Sequence, residues 1–130
     1  MFRKIILLTL LTAFSSSLFA ASAEERAQKA IDARQGLLKV MASYFGPIVG
    51  MAKGQIPFDA AVVEYNAGKM AQLAPMIEDL FATDTRASGL QSGAKDDIWE
   101  NQADFNEKAA TTAERATALA AAASQGRGPT

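Results

Sequence analysis

Arg34-Gln35-Gly36-Leu37-Leu38-Lys39-Val40-Met41 is the stretch on which the fold turns. Outward from it, apolar side chains recur at Ile31, Leu38, Met41, Phe45, Ile48 and Ala52, at steps of three, four and seven. That spacing predicts an amphipathic helix from about Ala23 to Lys53. Pro47 lies inside the pattern and removes a backbone donor, so a kink is expected near Ser43 to Gly46. Gly54 is a natural stop, and Pro57 keeps Ile56 extended in the connector that follows.

A second helix is expected from Asp59 to about Phe81, with Val62, Met70, Leu73, Ile77, Leu80 and Phe81 as its stripe and Pro75 as an interruption. Ala82 to Lys95 reads as a loop, long enough for a small domain that function is expected to shape it. Asp96-Asp97-Ile98-Trp99 reads as a short helical turn with its acids at the favourable N-terminal end. The third helix runs from about Gln102 to Ser124, with Phe105, Ala109, Thr112, Ala116, Leu119 and Ala123 along one face. Its alanines give high intrinsic helicity but little bulk to bury. The end, Gln125 to Thr130, is rich in helix breakers. These elements imply an all-α, up-down helical bundle. Two helices carry large apolar stripes and the third mostly alanine, so the centre calls for more material: a fourth helix or a flat apolar ligand.

The beginning of the chain has the layout of an export signal. Arg3 and Lys4 precede an apolar run from Ile5 to Leu11, extended through Phe14, and Ala21-Ser22-Ala23 fits the small-residue cleavage pattern. The run falls short of the roughly 20 residues of a spanning helix. Residues 1–23 are therefore expected to be a cleavable signal peptide and residues 24–130 the helical domain, exported by the general secretory route to the periplasm without a membrane anchor. The 130 residues carry a net charge of −1 with no basic face interleaved with aromatics, so nucleic acid is not expected as a partner. There is no Cys and no His. A disulfide framework, the usual zinc, copper and iron–sulfur ligands, and a Cys or His nucleophile–base pair are excluded within this sequence. Asp96-Asp97 and Glu24-Glu25 read as helix-start acids, because paired carboxylates for glycoside chemistry need a cleft between them. No enzymatic step is expected.

Several segments, in order, resemble the cytochrome c-prime family and its low-spin relatives. Arg34-Gln35 with Leu38 and Met41 on one face is similar to the family's first helix. Met51-Ala52-Lys53-Gly54 and Pro57-Phe58-Asp59-Ala60-Ala61 are similar to its first connector and the start of its second helix. Leu80-Phe81, then a loop, then Ile98-Trp99 and Phe105 resemble the passage into its third helix. The likeness spans residues 24 to about 124.

The resemblance implies a periplasmic four-helix bundle with haem among its helices, serving electron transfer or small-gas binding. In that family a fourth helix bears Cys-x-x-Cys-His, whose thiols attach the haem and whose His binds iron, while the first helix covers the opposite face. This sequence carries only the first three helices' likeness and lacks that motif, so a truncated or frameshifted member without covalent haem attachment is expected. Arg34 and Gln35 become candidate partners of the haem propionates, since a guanidinium fork matches a carboxylate. By spacing alone they read as a solvated helix face, with Ala30, Arg34 and Leu38 one above another. Leu38 is expected to line the distal face. Met41 is either an axial thioether ligand to iron or a core filler. Trp99 and Phe105 are aromatic anchors that can also wall a macrocycle. Tyr44 and Phe45 are expected to pack against helix two or a second subunit, making a homodimer through helices one and two. The alternative function is a haem-free helical interaction module, which binds a partner helix or self-associates.

Overall fold

The computed structural model describes residues 2–126, with side chains from Ser22 onward. The side chains of the expected signal peptide before Ser22 and the tail from Arg127 lie outside the described residues. Helix α1 spans Phe2–Ala52. It extends well N-terminal of the expected start, and no Gly or Pro precedes Gly36 to break it. Pro47 sits inside α1 without ending it. The helix ends where Gly54 takes a φ of 69°. There Gly54 N donates to Met51 O at 3.0 Å and Gln55 N to Gly50 O at 2.9 Å, the paired bonds of a Schellman stop.

Asp59 caps the next helix, its Oδ1 accepting from Ala61 N at 2.9 Å and Val62 N at 3.2 Å. The expected interruption at Pro75 is a true break. Helix α2 spans Ala60–Leu73 and α3 spans Pro75–Phe81. Pro75 has no amide to continue the ladder, but in the first position of a helix that loss costs nothing. The connector that follows holds a 3-10 turn, Arg86–Ser88, closed by Gly89 at a φ of 70°. Then come α4 (Asp97–Glu100) and α5 (Gln102–Ser124). Among the described residues there is no β-strand.

α2 lies between α1 and α5 and packs on both, most extensively on α5, while α1 and α5 make no comparable contact with each other. Small side chains allow this: Ala67 of α2, Ala74 at its junction with α3, and Ala109 and Ala123 of α5 are buried. The main core cluster is Leu37 and Met41 of α1 with Met70 and Ala74 of the second helical stretch. Tyr44, Leu73, Ile77, Leu80, Ala113 and Ala116 pack around it.

The buried line of α1 differs from the one expected. Ala27, Ile31, Arg34, Leu37 and Met41 are buried, whereas Leu38 and Phe45 are 46% and 50% exposed. Leu37 and Leu38 begin two adjacent apolar seams, and α2 covers only the first. On α2 the same shift occurs: Val63 is buried and Val62 is exposed.

Candidate functional site

The second seam of α1 opens on a cavity of about 540 Å³, within the roughly 300–1,000 Å³ typical of small-molecule sites. Ile31 and Leu38 from α1, Ile77 and Phe81 from α3, Ile98 from α4 and Phe105 from α5 give it apolar walls. Its polar components are Arg34 and Gln35 on α1, Ser92 to Lys95 of the connector, and Asp97. Phe81 and Phe105 face one another with ring centroids 5.0 Å apart, joining α3 to α5 behind the cavity. A smaller cavity of about 230 Å³ lies further along the bundle, where Phe45 and Ile48 of α1 face Thr112, Arg115 and Leu119 of α5.

Arg34, Gln35, Leu38 and Phe105, four of the six residues singled out from the sequence, line the larger cavity. Met41 does not. It is 6% exposed and packs with Leu37, Met70 and Ala74 in the core cluster. Trp99 is not on the cavity surface either; its indole Nε1 donates to Phe81 O at 2.9 Å, which fixes α4 to the end of α3. Tyr44 packs edge-on against Tyr65 of α2, centroids 6.2 Å apart.

Arg34 is 3% exposed, so the solvated face that its spacing alone suggested is not where it lies. Its Nε donates to Leu80 O at 2.8 Å and its Nη1 to Thr85 Oγ1 at 2.9 Å, while Nη2 donates to Thr83 O. The guanidinium carbon also sits 5.0 Å from the Phe81 ring centroid and 5.1 Å from that of Trp99. Burial pushes its pKa down from the ordinary value, and Asp84 opposes that shift. Arginine nonetheless stays charged. Among the described residues Arg34 forms no salt bridge, so a buried positive charge stands beside the cavity compensated by hydrogen bonds and rings.

Sequence reasoning missed Thr85 and the polar wall at Ser92 to Lys95. The length of the loop Ala82 to Lys95 marked the segment as one that function shapes, but no local pattern singles out these residues, because they reach the site only through the path of the connector. Arg34's burial did leave a signal, its place in the line Ile31, Arg34, Leu38, Met41. A charge inside an apolar stripe points to a partnered buried group.

Residues 29–129 match the sequence model of the family described as Cytochrome C'. The chain is 34% identical to the cytochrome c' of Cereibacter sphaeroides over 127 residues, which cover 96% of this chain and 83% of that one. It is 31% identical to the cytochrome c' of Alcaligenes xylosoxydans xylosoxydans over 99 residues, 76% of this chain and 75% of that one. It is also 35% identical over 98 residues to a cytochrome c-554 of Cereibacter sphaeroides, with 74% of this chain and 64% of that protein covered. No solved structure matches.

The lining is apolar except for Arg34, Gln35, Asp97 and the connector residues Ser92 to Lys95, a composition compatible with a macrocycle that carries carboxylates. The lining contains no His, Cys or Met, and the 130 residues hold no cysteine for thioether attachment. On the family match and these relatives, the chain belongs to the cytochrome c' family of haem proteins.

Proposed function

We propose that this protein holds a haem in the cavity beside α1 without covalent attachment through these 130 residues, and acts in the periplasm as an electron carrier or small-gas binder. The observation that carries the reading is the cavity itself, walled by the segment Arg34 to Leu38 that resembles the family's haem-facing helix. Leu38, Ile77 and Phe105 would hold the macrocycle, and Gln35 and Lys95, with the Arg34 charge behind them, would favour its carboxylates. A bound haem supplies a redox-active iron with a coordination position for a small ligand. With Leu38 on the cavity and Met41 packed in the core, the placement supports the gas-binding form over a Met-ligated carrier. The reading is of a carrier rather than an enzyme.

Periplasmic location rests on the export-like start of the chain; no helix among the described residues is long and apolar enough to cross a membrane. A homodimer through α1 and α2 is part of the proposal. Val40 of α1, Val62 and Tyr65 of α2, and Phe58 of the connector between them are exposed apolar side chains, of the kind that marks an interaction site.

Titration of the purified protein with ferric haem tests the function. A saturable Soret band at equimolar haem, weakened by Leu38→Asp, is expected. Absence of binding, or binding indifferent to Leu38→Asp, would reject the haem site and leave the helical interaction module as the standing alternative.

A further inference from the structure

The end of α3 is held by side chains from other elements. A helix C-terminus leaves carbonyls without amide partners and favours a cation nearby, and α3 has no basic residue in its last turn. Arg34 of α1 supplies the cation. It binds Leu80 O and, just beyond the helix, Thr83 O and Thr85 Oγ1. Trp99 of α4 takes the intervening carbonyl of Phe81. The Trp99 ring lies against Arg34, and Arg86 approaches it at 5.9 Å, held in turn by Asp84. One guanidinium therefore ties the start of the connector to the helix that follows it, and the connector's last part, Ser92 to Lys95, is a cavity wall.

We propose that Arg34 is a positioning residue. It acts on the cavity's ligand by setting the 82–96 connector and Trp99 in place, a role separate from any contact its guanidinium makes from the cavity wall. Three of the five N–H donors of an arginine are committed to α3 and the connector, and the guanidinium carbon is stacked near two rings. Leaving these partners would strip a buried charge of its hydrogen bonds, which is costly in a low-dielectric site, so the guanidinium keeps its place whether or not its two remaining N–H donors meet a ligand. Gln35, exposed and next in sequence, carries no such commitment. The inference goes beyond the haem reading, because the clasp is built entirely from this chain's own groups.

Trp99 is the single tryptophan, so its fluorescence reports the connector directly and needs no ligand. The test compares Arg34→Lys, Thr85→Val and Gln35→Ala in the full chain, with helicity checked by far-UV circular dichroism and ferric haem as probe. Lysine keeps the charge but not the fork, and Thr85 lies outside the cavity lining. Expected for Arg34→Lys are a red-shifted, more quenchable Trp99 emission and haem binding weakened about tenfold, the loss of a pre-organised wall. Thr85→Val moves both in the same direction to a smaller extent, and Gln35→Ala weakens haem binding with Trp99 unchanged. Arg34→Lys with native affinity and emission would overturn the proposal, as would weakened haem binding with Trp99 undisturbed. If Arg34→Lys does not fold, Thr85→Val decides: an unaltered emission rejects the clasp. Should the chain bind no haem, emission and quenching still decide the positioning role, separately from the haem reading.

Discussion

The guanidinium of Arg34, on the first helix, packs 5.1 Å from the ring centroid of Trp99, at the entry to the last. The two residues are also joined through α3, since Arg34 bonds Leu80 O and Trp99 bonds Phe81 O. Their interaction is therefore expected to be cooperative. A double-mutant cycle with Arg34→Met and Trp99→Leu, followed by urea unfolding, should give a coupling of about 0.5–2 kcal/mol. A coupling near zero would reduce the pair to neighbours.

Met41 is a core residue in this fold, so Met41→Ala should cost about 2–5 kcal/mol of stability. If the chain binds haem, the Soret band of this variant should match that of the unmodified protein. A changed visible spectrum would instead place its sulfur at the iron.

The start of α2 rests on Asp59, whose carboxylate accepts two backbone amides. Asp59→Ala is expected to destabilise by about 1 kcal/mol, and Asp59→Ser to recover most of that. Chemical denaturation of the three proteins measures both effects.

Two glycines should respond with opposite sign. Gly54 holds a φ of 69° at the end of α1, where a Cβ is strained, so Gly54→Ala should cost about 1–2 kcal/mol. Gly36 is helical, and a Cβ there meets nothing within 4 Å; Gly36→Ala should stabilise by about 0.5–1 kcal/mol. Thermal melts of the pair check the signs.

The hydrogen bonds from Arg86 hold the Asp84 carboxyl below the usual range, with Arg34 adding a weaker attraction. A depressed folded-state pKa contributes stability that is complete above about pH 4, the unfolded value, and is lost as pH falls through the folded one. Asp84→Asn should therefore lower stability slightly at neutral pH, leave it unchanged at the acid end, and so flatten the acid limb of the stability curve. The contribution is small because the group is exposed. Melts recorded from neutral pH down into the acid range test it.

The breaks and caps of this chain were legible because each is a local event. Gly54, Asp59 and Pro75 act through φ, a side-chain oxygen and a missing amide, all within a turn of themselves. The Ala-rich last helix was equally legible, and its observed bounds, Gln102–Ser124, are those its composition suggests. The site was legible in part: Leu38 and Phe105 line the cavity, while Trp99 turned out to be a strut behind it.

By itself, then, the sequence determined an all-α chain, the order of its helices, where α1 stops, where α2 starts and where α5 begins and ends, and the family to which it belongs. Only the tertiary structure decided which seam of α1 is covered. Leu37 and Leu38 stand roughly 100° apart on the helix, and periodicity alone accommodates either as the buried one. α2 packs over Leu37 and Met41, which leaves Leu38 to the cavity and draws Arg34 inside. That burial obliges the guanidinium to find partners, and they come from residues 80–85 and 99, too far along the chain for any local pattern to connect.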